Sequence, residues 1–578
     1  MDFYEEASLV MVPSGYKDQK VYSSVPDDGS ADLTFSRAST ATRINSDGYI
    51  EKAQVNLLLQ SNSFDTTWTN SSTTETSGQS GYDGTNDAWK LTKSAINAYI
   101  RQDLTGSGVF TFSVYAKAST DGGDSDGIYM LINGSPDSWA TFDLNNGTTS
   151  LGAGASVDSK IEVIGSGWYR CSLTASGGVS DVRIYPTAQD GTRDDTTGAV
   201  FIQDAQLNYG LVAQTYVETT TASVTEGVAI DVPRLTYDPV NPTSASLLLE
   251  PSRQNLMPSS EDIDNLWSKL RVTVENNSTT SPEGLVNAGK SIVTADDGNH
   301  ASYDTISSGL TGGNPYFISC FVKKVNTKYI RLYEGYTSAY VEFNFDDQTT
   351  DLQNGASDLL LEQHPNGWWR LGFKFTADAS GNGQFALYIN DNNNNRSYIG
   401  AGEAVYLWGA QIEAGSYPTS YIPTYGASST RTSEFASKAG IASLIGQSEG
   451  TLFVELEDTD NFQAYIGVDN GSTGYRIIIY GTLDNKVYTQ IRHNVSVIFS
   501  AQSAAISGRA KAAVSFNASG SVFYVNGVQV GSGSGITYPN NLVQLTMNHS
   551  SQVGSKVNQA LLFKTRLSNA SLSELTTL

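Results

Sequence analysis

The run Tyr388-Ile389-Asn390-Asp391-Asn392-Asn393-Asn394-Asn395-Arg396-Ser397-Tyr398 brings amides, a guanidinium and two flanking tyrosines into one short stretch. These groups hydrogen-bond and stack against hydroxyl-rich ligands, so Tyr388, Asn394, Arg396 and Tyr398 are the candidate glycan contacts. The same residues also make an ordinary solvated hairpin tip, because Asn and Asp are turn formers. Gly167-Trp168-Tyr169-Arg170 and Gly367-Trp368-Trp369-Arg370 are a second source of ring surface. Neighbours along a strand point to opposite faces, so at most one aromatic of each pair faces outward and the other belongs to the core.

Other chemistries find little support. Asp121-Gly122-Gly123-Asp124-Ser125-Asp126 offers hard oxygen ligands, but the twelfth position counted from Asp121 is Ile132, where a calcium loop needs Glu. A solvated turn is the expectation there, and no metal site is assigned. The histidines His300, His364, His493 and His549 stand apart, without ligand spacing. No Gly-x-Ser-x-Gly elbow on a strand-to-helix turn is found. Carboxylate pairs for glycoside cleavage are set by the fold and leave no mark in sequence. No catalytic residue, metal or cofactor is assigned, and the chain reads as a non-enzyme. Cys171 and Cys320 read as small buried hydrophobes, not a disulfide.

The elements that must position these residues are strands. Glycine is abundant, at 54 residues, and helix signals are nearly absent. Phe110–Ala116, Tyr329–Tyr333, Tyr340–Phe345, Arg476–Tyr480 and Ser521–Val525 alternate large and small or apolar and polar side chains, as half-buried strands do. Asn526-Gly527 between Ser521–Val525 and Val528–Val530 predicts a type I′ hairpin. Short strands with frequent turn signals predict an all-β fold of antiparallel sandwiches.

The chain also repeats itself at a spacing of roughly 200 residues, too long for a solenoid. Val55-Asn56-Leu57-Leu58 with Phe64 and Trp68 is matched by Gln254-Asn255-Leu256-Met257 with Trp267. A strand ending in Lys117 matches one ending in Lys323, and the two Gly-Trp-x-Arg motifs follow. Gln206 then matches Gln411, and Tyr216 matches Tyr421. Landmarks in one order indicate duplication. The expected organisation is a docking segment over 1–50, a first jelly roll over 51–225, a connector over 226–250, a second jelly roll over 251–426 and a third sandwich over 427–578. The third closes with a short helical turn capped by Ser571, with Glu574 three residues on.

The 578 residues carry 59 acidic and 35 basic side chains, a net charge of −24. That balance argues against nucleic acid and anionic membrane as partners. The start is acidic and lacks a cationic region with an apolar run behind it, so no signal peptide is expected. No apolar window reaches the length of a membrane span.

The landmarks, together with Trp408-Gly409-Ala410-Gln411-Ile412-Glu413-Ala414-Gly415 and Thr419-Ser420-Tyr421-Ile422-Pro423-Thr424, resemble repeated modules of bacteriophage virion proteins. Ser36-Arg37-Ala38-Ser39-Thr40-Ala41-Thr42-Arg43 resembles the start of such proteins. The tail, chiefly Phe523-Tyr524-Val525-Asn526-Gly527-Val528, is similar to concanavalin-A-like laminin-G domains. The first copy departs at Gln203-Asp204-Ala205-Gln206, which replaces Trp-Gly-Ala-Gln. The resemblance implies tandem jelly rolls akin to carbohydrate-binding modules on a virion protein made in the host cytoplasm: a head fibre, tail fibre or capsid decoration. It further implies a homo-oligomer, attached to other virion proteins through its amino-terminal segment, that adheres to host-surface glycans. A tail-spike glycan depolymerase and a ligand-free architectural spacer are the alternatives.

Overall fold

The computed structural model describes residues 2–17, 19–307, 309–457, 465–482, 484–534, 537–548 and 554–578. His549 lies outside them. Antiparallel strands dominate, and among the described residues α-helix is confined to Phe3–Glu6, Ile263–Leu266 and Asn569–Thr576.

The second copy is a sandwich of two six-stranded sheets. One runs Ser268–Leu270, Ala301–Ile306, Gly383–Ile389, Tyr329–Glu334, Tyr340–Asn344, Thr350–Gln353. The other runs Val272–Thr280, Val286–Val293, Ala404–Ala414, Pro315–Lys324, Trp368–Thr376, Ser357–His364. The first copy has the same order with one difference. Its strands Tyr99–Ala118 and Trp168–Thr187 are continuous and pass from one layer to the other while paired. In the second copy the corresponding ladder is broken into four strands. Glycine explains the difference. Gly108 at φ +139° and Gly177 at φ +147° sit at the bend, where only a residue without Cβ continues the strand at that angle. Each sandwich is filled by its own inward set, with Phe112, Val114, Met130 and Ile202 in the first and Ile318, Leu332, Phe373 and Leu407 in the second.

The third sandwich corrects the expected boundaries. Residues 1–50 do not form a segment apart from the lobes. Leu9–Met11 pairs with the last strand, placing Leu9 opposite Leu562. Leu33–Ser36 pairs with Phe435–Ala439. The connector also contributes, because Ser246–Leu249 lies along the other end of that last strand. The apolar side chains of the amino-terminal strands required this: Leu9, Met11, Val21, Leu33 and Phe35 are buried in one core with Leu452, Ile479 and Phe523. Those strands are paired and buried within the molecule.

Each such side chain stabilises the fold by roughly 1.5–3 kcal/mol when fully buried. Deleting residues 2–36 is therefore expected to unfold the third sandwich and leave two sheet edges unpaired, read as loss of its calorimetric transition and aggregation. A truncated chain that keeps this transition would show that these strands are dispensable.

The Asn526-Gly527 hairpin forms as expected, with Val525 paired to Val528 and both turn residues at positive φ. The carboxy-terminal helix starts one turn earlier than expected. Its cap is Ser568, whose Oγ accepts from Ser571 N at 3.1 Å, while Ser571 lies within the helix. Leu572 and Leu575 dock that helix on Phe453 and Tyr524.

Two buried charge clusters join the lobes. In one, Arg37, Arg234 and Arg431 meet Glu250 and Glu434, all nearly without solvent exposure. Arg37 comes from the amino-terminal segment, Arg234 and Glu250 from the connector, and Arg431 and Glu434 from the run after the second sandwich. In the other, Lys52 bridges Glu261, at 3.0 Å, and Glu283.

Candidate functional site

The duplicated motifs serve the fold. Asn56 Nδ2 donates to the carbonyls of Ala205 and Val217, and Asn255 Nδ2 donates to those of Ala410 and Ile422. Gln206 and Gln411 accept from the N–H groups of Val217 and Ile422, both at 2.8 Å. The Tyr216 and Tyr421 hydroxyls meet Ser61 and Ser260. Arg170 and Arg370 each donate to the carbonyl two residues before that tyrosine, on Gln214 and Thr419. Together these bonds buckle the segment after each closing strand back onto its sandwich. Trp168, Trp368 and Trp408 are fully buried, as expected for core members, and Tyr169 and Trp369 are half-buried against the cores.

The departure in the first copy has a local cause. A bulge in each closing strand needs positive φ, supplied by Gly409 at +64° and Asp204 at +55°. Asp tolerates this region through its short polar side chain. Burial pushes the Asp204 carboxyl up to about 6, although the Tyr82 hydroxyl donates to it at 2.8 Å.

A second group of half-exposed side chains lies on the outer face of the other sheet. Along Tyr329–Glu334 the side chains of Tyr329, Arg331 and Tyr333 alternate with buried Ile330 and Leu332. Arg331 stands opposite Tyr388, and Tyr333 opposite Tyr340. The Tyr333 ring meets Tyr388 edge-on at 5.5 Å, and the Arg331 guanidinium lies 4.0 Å over the Tyr340 ring. Arg396 reaches in from the Asn-rich loop, 5.4 Å over the Tyr388 ring. Burial raises the Tyr388 phenol above its ordinary range, with Arg396 opposing the shift. Glu342 accepts from Arg331 and completes a half-exposed surface of rings, a carboxylate and guanidinium groups.

The first copy repeats this surface. Tyr129 stacks on Trp139 at 5.3 Å and 17°, and meets Tyr185 edge-on at 5.3 Å. Arg193, from the loop before the closing strand, lies 4.2 Å over Tyr129 and 4.9 Å over Tyr185. That loop corresponds to the one carrying Arg396. Sequence reasoning did not single out Tyr129, Trp139, Tyr185 or Arg193, nor Arg331, Tyr333 and Tyr340. The period-two alternation of their strands is the signal that finds them, once pairing shows which phase faces out.

Of the four candidate contacts, Tyr388 and Arg396 are brought together on this face. Asn394 is at positive φ, and its amide is held by Glu342 and Asn390. Tyr398 is half-buried against the core, with its ring 4.7 Å from His300 and its hydroxyl donating to the Ile389 carbonyl at 3.2 Å. Both are used to shape the loop. Asp124 is not in a solvated turn: it is buried and paired with Lys93. Among the described residues no cluster of three or more His, Cys, Asp or Glu side chains is arranged to hold a metal. Among the same residues no helix is long and apolar enough to cross a membrane.

Carbohydrate-binding modules and laminin G domains are among the solved structures the chain matches, with TM-scores of 0.21 or below for those described next. A CBM40 of the Ruminococcus gnavus IT-sialidase, bound to α2,3-sialyllactose, matches with 13% identity and a TM-score of 0.21, over 24% of this chain and 86% of that one. Tandem CBM22 domains from Paenibacillus barcinonensis match with 14% identity and a TM-score of 0.21, over 64% of this chain and 99% of that one. Domains LG4-5 of the mouse laminin α1 chain match with 11% identity and a TM-score of 0.17, over 49% and 91%. No protein-family model and no curated protein matches the chain.

Proposed function

We propose that this protein is a non-enzymatic bacteriophage virion component that adheres to host-surface glycans through the outer sheet faces of its duplicated sandwiches. The observation that carries the glycan reading is the recurrence of one surface in both copies: tyrosine rings in register, with an arginine over them from the equivalent loop. Aromatic faces pack on sugar rings while their polar edges and the guanidinium groups bond hydroxyls. Two such faces in one chain, multiplied in a homo-oligomer, turn weak contacts into avidity. The virion reading rests on the resemblance of the repeated motifs to phage structural proteins. A purely architectural spacer would have no reason to keep rings half-exposed on the same face twice.

The test is a glycan array probed with the intact chain and with variants. Tyr388→Ala with Arg396→Ala is expected to lower binding at least tenfold, and Tyr129→Ala with Arg193→Ala to do the same for the first copy. Combining them is expected to abolish the signal. A blank array for the unmodified chain, or signals indifferent to all four changes, would reject the reading. Released oligosaccharides on incubation with host capsule would instead show a depolymerase.

A further inference from the structure

A cleft of about 760 Å³ lies between the bend of the first sandwich and the run Tyr421 to Arg431 that leaves the second. One wall is made of Ser107, Gly108, Ser176, Gly177 and Gly178. The walls are clamped together: Val109 N donates to the Tyr425 carbonyl at 3.0 Å, and the Tyr209 and Tyr425 rings stack at 5.8 Å and 14°. A Cβ on Gly108 would lie 2.4 Å from the Tyr425 oxygen, so this approach needs glycine.

Three polar atoms on the lining residues are buried without a hydrogen-bond partner: Gln214 Oε1, Thr424 Oγ1 and Arg431 Nε. Their side chains belong to residues 6%, 2% and 1% exposed. All three are closed off from solvent and lie behind the cleft wall, so what a ligand would meet is the accessible lining itself. The lining contains no Asp or Glu, in a chain that carries 59 of them. Its cations, Lys52 and Arg431, are already paired with Glu261, Glu283 and Glu250. What remains is hydroxyl, amide and ring surface with no spare charge, in a volume within the range of small-ligand sites.

We infer that this cleft is a second saccharide site, separate from the outer sheet faces, and that it takes a short neutral oligosaccharide. Gly178 provides the test. It is exposed on the lining, and a Cβ there meets nothing nearer than the Gly106 carbonyl at 3.9 Å, so Gly178→Leu fills the cleft without forcing the backbone. The intact chain is titrated calorimetrically with cellotetraose, xylotetraose, maltotetraose and chitotetraose. At least one is expected to bind, equally well to the Tyr388→Ala, Arg396→Ala chain, and at least tenfold more weakly to Gly178→Leu and to Tyr209→Ala. Gly178→Leu is expected to melt with the unmodified chain, which separates cleft filling from misfolding. Binding unchanged in Gly178→Leu, or no tetrasaccharide bound at millimolar concentration, overturns the inference. Binding lost only in the outer-face variant overturns the cleft and leaves the outer-face reading standing.

Discussion

Lys52→Met is expected to destabilise the junction between the amino-terminal segment and the second sandwich by about 3–5 kcal/mol at pH 8, the usual cost of leaving a buried charge without its partner. In a lobe of this size that lowers the calorimetric transition by roughly 10 °C. The reason is the geometry of the bridge. Glu261 and Glu283 are both buried, and a single ammonium serves both. Burial works against the charge on Lys52, yet the two carboxylates hold it well above the ordinary lysine range. Burial also pushes the Glu283 carboxyl up to about 7, with Lys52 opposing and Glu261 adding to the rise. Tyr425 lies beside Lys52, the Tyr421 hydroxyl donates to Glu261 at 2.8 Å, and the Asn287 amide donates to Glu283 at 2.7 Å.

The sign of the pH dependence follows. A carboxyl whose folded pKa lies above its unfolded value binds protons more tightly when folded, so stability falls as pH rises from about 4.5 through about 7. Removing Lys52 widens that window upward, because nothing is left to favour the ionised pair. The deficit of Lys52→Met is therefore expected to shrink by half or more between pH 8 and pH 5, where Glu283 takes up a proton. Equal deficits at the two pH values would show that Lys52 acts by packing alone.

Glu434→Ala is expected to cost a similar 3–5 kcal/mol, with no recovery in acid. Glu434 accepts from Arg37 at 2.8 Å and from Arg234 Nε at 2.7 Å, and it also caps the Glu250 amide at 2.8 Å. Its loss leaves three buried guanidinium groups, Arg37, Arg234 and Arg431, with Glu250 as the one carboxylate of the cluster. Arginine stays charged across the accessible range, so protonation cannot relieve them. Burial alone would raise the Glu250 carboxyl, but Arg431 and Arg234 hold it well below the usual carboxylate range. Its contribution is thus complete above about pH 4.5 and is lost only in strong acid. The measurement is the same transition at pH 5 and pH 8. A loss under about 1 kcal/mol would show that the cluster does not join the lobes energetically. The contrast between the two variants, one rescued in acid and one not, separates a pair of excess carboxylates from a pair of excess guanidinium groups.

The duplicated landmarks were legible because each one meets a local demand. Asn56 and Asn255 must bond two carbonyls, and Gln206 and Gln411 must accept one N–H, so the residue type survives in order wherever the buckle survives. The Asn526-Gly527 hairpin was legible for the same reason, since positive φ at two adjacent positions narrows the choice of residue. The candidate surface was only half legible. Tyr388 and Arg396 stand out in an unusual loop, whereas Asn394 and Tyr398 in that loop are used to hold it, and nothing in composition separates the two pairs. Tyr129, Trp139 and Tyr185 sit in ordinary alternating strands.

The sequence by itself determined an all-β chain with one sandwich written twice and a third of different kind, because alternation, turn residues and repeated hydrogen-bonding side chains act over a few residues. Only the tertiary structure decided which face of each sheet stays open, that Leu9 lies against Leu562, and that Lys52 answers carboxylates more than 200 residues away. Those outcomes depend on pairing between distant strands. Period-two alternation leaves each strand two faces and many partners, and burial of the whole apolar set selects one arrangement.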